Sequence, residues 1–114
     1  MSELLLESIA SYNSHLKNLP KGCQYIANKL REDQIQEALI SIKDFAEGVK
    51  WMSDASVLFS KNEVQVYFDI DTVYKFLNEI NEGLEIQDYN LVADLFEYEF
   101  VGFFEKFSTI EVGQ

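Results

Sequence analysis

Few residues of this 114-residue chain could do chemistry: one histidine, one cysteine and a scatter of carboxylates. Nucleophilic catalysis would need Cys23 or a serine beside a base, and His15 is the sole imidazole. Cys23 falls on the apolar side of its segment, where a thiol serves as a small hydrophobe, and His15 lies at the boundary of that side. Structural zinc needs four ligands, mostly Cys and His, and the chain has one of each. A carboxylate-bridged di-iron bundle needs two Glu-x-x-His motifs and two further Glu, but Tyr12 stands three residues before His15. Asp69-Ile70-Asp71 opens like a calcium loop. Its fifth, sixth and twelfth positions would be Val73, Tyr74 and Ile80, where an oxygen ligand, glycine and glutamate are required. Helix capping explains both aspartates better. No Gly-x-Gly-x-x-Gly or Walker-type Gly-Lys-Ser cradles phosphate. We therefore expect no catalytic residue, no metal ligand and no cofactor.

The elements that position these side chains read as helices. In 3–31, Ile9, Tyr12, Leu16, Leu19, Cys23, Ile26 and Leu30 recur at steps of three and four, one apolar face held through the segment. Pro20 removes a backbone donor within it, so a kink near 18–21 is expected, or a break into two helices. A second helix spans 34–60, with Asp33 as N-cap and Gln36 completing a capping-box pattern. Its apolar face is Ile35, Leu39, Ile42, Ala46 and Val49. Residues 63–70 alternate with a period of two but have no partner strand, so they read as an extended connector packed on the bundle; continued helix is the alternative. Asp69 or Asp71 caps a third helix, 71–86, and Asp88 caps a fourth, 89–109, apolar around most of its circumference. The fold class expected is all-α: an up-and-down bundle of four helices, five if the first breaks at Pro20, forming a single domain over 1–114.

Composition narrows the function. At 47% hydrophobic and 25% charged residues the chain can bury a core, so disorder is excluded. No apolar run approaches the roughly 20 residues of a membrane span. The net charge of −11, with a single arginine, argues against nucleic acid and anionic membrane surfaces. Residues 58–114 carry twelve acids against three bases, and 1–57 eight against six, so the C-terminal half is the electronegative one. A lone cysteine suits a reducing cytosol, and the N-terminus lacks the basic stretch of a signal peptide. A cytoplasmic location is expected.

Some apolar residues miss the core faces. At about 100° per residue from Ile35, Ile40, Trp51 and Leu58 cluster nearly opposite the inward face of the second helix, among acids and lysines. Val101 and Phe104 likewise fall outside the main arc of the fourth. Either the bundle and its connector cover these residues, with 63–70 lying on Trp51, or they form an interface, as apolar patches rimmed by charge do. Glu99, between Leu95 and Phe103, sits at the edge of an apolar arc. There it would bond to a neighbour, polarise a ligand pocket, or rotate into solvent.

The stretches Glu37–Met52 and Asp88–Phe100, with the Leu19-Pro20-Lys21 step before a helix, resemble a group of small, acidic, all-helical bacterial proteins of uncharacterised function. The resemblance implies a bacterial cytosolic protein and an all-α fold, and it carries no catalytic residues. The function expected is a non-enzymatic protein-interaction module (adaptor, chaperone-like binder or small regulatory subunit) using Ile40, Trp51, Leu58, Val101 and Phe104 against a protein partner or a second copy. A small-ligand binder with a pocket near Glu99 is the alternative.

Overall fold

The computed structural model describes residues 2–112. Its four helices are all-α architecture, with no strand among the described residues. Helix α1 is Glu3–Arg31 and α2 is Ile35–Lys61, long partners joined by a short turn. Helix α3 is Ile70–Glu85. Helix α4 has three parts: α-helical Tyr89–Asp94, π-helical Leu95–Phe100 and α-helical Val101–Glu105. At about 1.5 Å per residue the 29 residues of α1 span about 43 Å, which sets the long axis of a 47 × 21 × 21 Å molecule. Helix α1 packs against both α2 and α4, while α3 packs on α4 and touches α2.

Local chemistry accounts for the ends. The Ser2 hydroxyl, Asp69 and Asp88 accept hydrogen bonds from the N–H groups of Leu5, Thr72 and Leu91, at 3.1, 3.2 and 3.1 Å, so Asp69 rather than Asp71 caps α3. Helix α1 runs through Pro20 without a break. Proline leaves the Leu16 carbonyl without its helical donor, and the buried Leu16, Cys23 and Ile26 hold the helix on either side.

Asp33 does not cap α2; Gln34 takes that place, without a side-chain cap bond. Asp33 is instead left-handed, at φ 61°, and ends α1. Its N–H donates to the Leu30 carbonyl and that of Gln34 to Lys29, the two bonds of a Schellman motif. The same pair recurs after α2, where Glu63 (φ 62°) donates to Ser60 and Val64 to Phe59. It recurs again after α3, where Gln87 (φ 55°) donates to Leu84 and Asp88 to Gly83. Three helices thus end on a left-handed residue that is not glycine.

The stretch 64–69 is non-helical, with Val64 and Phe68 buried, Val66 packed on the core, and Gln65 and Tyr67 exposed. The expected connector is therefore present. It lies on Tyr12 and Phe107, which Phe68 meets at 6.2 and 5.3 Å. The core face of α2 is displaced from expectation: Ala38, Phe45, Met52, Ala55 and Phe59 are buried with Ile42 and Val49, and Leu39 is exposed.

The π-helical turn changes α4 most. In an α-helix, residues four apart drift by about 40° around the axis, and the wider i→i+5 turn takes up that drift. Phe96, Phe100 and Phe104 consequently all face Phe45, at 5.2, 6.1 and 5.9 Å between rings. Phe104, expected outside the core, is 2% exposed. Glu99, expected at the apolar edge, is in solvent. Helix α4 also ends at Glu105, short of the expected 109. Beyond it Asn13 holds Ile110 by both main-chain groups, accepting from its N–H at 2.7 Å and donating to its carbonyl at 2.9 Å.

A left-handed side chain costs about 1–2 kcal/mol, partly offset by the greater freedom glycine has when unfolded. Glu63→Gly and Gln87→Gly should each raise stability, by up to about 1 kcal/mol in thermal unfolding, and Asp33→Gly by less, since aspartate tolerates this conformation better.

Candidate functional site

On the α1–α2 pair lies an open groove of about 310 Å³, lined by Leu19, Ile26, Phe45 and Met52, with His15, Asn18, Tyr25, Ser41 and Asp44 as its polar members. Its openness follows from two residues. Gly22 lines it from α1 and Gly48 from α2, and a Cβ at either would meet nothing within 4 Å. Neither has the positive φ that would require glycine. Gly83 differs: there a Cβ would stand 2.7 Å from a Val92 methyl, so glycine lets α3 and α4 approach.

The expected contact residues divide. Ile40, Trp51 and Leu58 are 64, 39 and 53% exposed. By helical rise the three span about 27 Å of α2. The Trp51 ring lies against His15 at 5.4 Å, and His15 also lines the groove, which joins Trp51 to it. Val101 is half-buried on the core and Phe104 is interior, so neither belongs to this surface. Glu99 lines neither this groove nor the larger cleft near the C-terminal segment.

The polar cluster nearest Glu99 in sequence is built on Arg31, the sole arginine. Its guanidinium reaches Asp94 at 2.7 Å and Glu97 at 3.5 Å. Gln24 donates to Glu97 at 3.2 Å. Hydrogen bonds from Tyr98 and Gln24, with the Arg31 charge, hold Glu97 below the usual carboxylate range. Sequence reading missed this cluster because the π-turn decides which of Glu97 and Glu99 faces α1. Burial pushes the Cys23 thiol up to about 12, so it is an unreactive core group. Among the described residues no three of His, Cys, Asp and Glu gather as metal ligands would, and no helix is long and apolar enough to cross a membrane.

The model of one protein family, described as a domain of unknown function (DUF8042), matches residues 7–110. The chain belongs to that family. No curated protein and no solved structure matches it.

Truncation should separate core from surface in denaturant unfolding: Phe104→Ala should cost about 3–5 kcal/mol, whereas Ile40→Ala and Leu58→Ala should leave the unfolding free energy within about 0.5 kcal/mol of the parent. Because the Glu97 carboxyl is held low in the folded state, its contribution is complete above the ordinary carboxylate pKa of about 4.3 and is lost as the pH falls below it. Glu97→Gln should therefore flatten the acid limb of a stability–pH profile and leave the neutral limb parallel to the parent.

Proposed function

We propose that this member of the family is a non-enzymatic protein-interaction module, an adaptor, chaperone-like binder or small regulatory subunit, that takes an amphipathic helix of a partner protein along the α1–α2 groove. One observation carries the reading. Two glycines sit inside long helices, at a cost of about 0.5–1 kcal/mol each relative to alanine, and no packing within the chain uses the space they leave. A third helix could use it, since small residues let helix axes approach within about 8–10 Å. Trp51 beside the groove is the residue type that most often anchors such contacts. Asp44 in the groove and the chain's −11 charge favour a helix with basic flanks. The resemblance to small bacterial proteins and the single buried thiol support a bacterial, cytoplasmic setting. The ligand-binding alternative centred on Glu99 loses its motive, because that carboxylate is in solvent.

The test is co-purification of the tagged chain from its own host, with Trp51→Ala and Gly48→Leu as controls. Both variants should keep their helicity, Gly48→Leu with a higher melting temperature, and both should lose a stoichiometric partner. Unfolding of Trp51→Ala would place that residue in the core and remove the reading, as would undiminished retention by Gly48→Leu. A mass that rises with concentration in the parent alone would move the assignment to a second copy of the chain.

A further inference from the structure

A second opening lies away from α2. The connector and the segment after α4 face each other across a cleft of about 670 Å³. Val66, Tyr67, Phe103, Phe107 and Ile110 supply its apolar lining. Apart from Phe103 and Lys106 at the end of α4, both walls are non-helical main chain. The N–H groups of Gln65, Val66, Tyr67, Phe68, Ser108, Thr109 and Glu111 have no hydrogen-bond partner among the described residues. The two walls do not pair with each other, although Tyr67 and Phe107 touch at 5.9 Å. Asn13 fixes one wall by engaging both main-chain groups of Ile110. In extended chain the groups of the flanking residues then point the other way.

We infer that this cleft receives an extended segment of a partner protein, added as a strand between the connector and the C-terminal wall. Two rows of main-chain donors and acceptors recur at about 3.3 Å per residue in extended chain, the repeat of a peptide. At strand spacing and rise a residue fills on the order of 160 Å³, so the cleft holds about four. Charge selects the sequence. Asp69 and Glu111 line it against Lys106, and Glu63, Asp71 and Glu105 adjoin the lining in sequence against Lys61, so basic residues should alternate with the apolar ones that meet Val66 and Ile110. The inference concerns a different surface from the α1–α2 groove and stands without it.

The probe is an acetylated, amidated heptapeptide of alternating lysine and valine, titrated into the full chain by NMR with amide exchange. Saturable one-to-one binding in the submillimolar range is expected, with exchange slowed at least tenfold at alternate amides of 65–68 and at Thr109 and Glu111, and unchanged at Ile110, which Asn13 already holds. N-methylation of alternate peptide nitrogens should weaken binding at least tenfold, and replacing lysine by glutamate should abolish it. Gln65→Pro removes an N–H that has no partner among the described residues, so it should fold normally and bind several-fold less tightly. Trp51→Ala should bind like the parent, which keeps this test separate from the previous one. Equal binding of the N-methylated peptide would reduce the effect to charge and overturn the inference. So would prior protection of the Thr109 and Glu111 amides in the free protein, shifts confined to the α1–α2 face, or a dimer that the peptide disperses.

Discussion

Phe45 is the contact on which the bundle turns. It is the residue of α2 whose ring meets α4, touching Phe96, Phe100 and Phe104 together. From it the aromatic contacts run through Phe76 and Phe103 to Phe107, then through Phe68 and Tyr12 to Phe59. All nine phenylalanines of the chain fall in this one network. Each such pair is worth about 0.5–1.5 kcal/mol beyond the area it buries. The widened turn of α4 keeps three rings four residues apart on the side that faces Phe45.

Polar contacts have a smaller and more local part. The ion pairs are at the surface, where such pairs contribute about 0–1 kcal/mol. The Arg31 cluster still has a positional role, because it ties the end of α1 to the middle of α4.

Helical periodicity made most of the architecture readable. The α1 face, the caps at Asp69 and Asp88, and the connector all follow from residue spacing and local hydrogen bonding. Ile40, Trp51 and Leu58 are exposed, as their phase on α2 indicated. What spacing could not reveal was any departure from 3.6 residues per turn. One π-turn reversed the assignments of Glu99 and Phe104, because every projection beyond it is rotated. The Asp33 error has another origin: the same short polar side chain suits an N-cap and a left-handed C-terminal residue, and the shared loop admits only one. The groove was illegible because glycine gives no signal of whether a neighbour fills the space beside it.

The Asn13–Ile110 clamp joins positions 97 residues apart. Closing a loop of that length costs more chain entropy than forming the α1–α2 or α3–α4 hairpin, each of which needs only a three-residue turn. Those hairpins are local and can form quickly. The clamp gains its two bonds only after both exist and have docked. It is therefore the last piece to close and the first to release, so that the stretch 108–112 can peel away as a sub-global opening while the phenylalanine network stays intact.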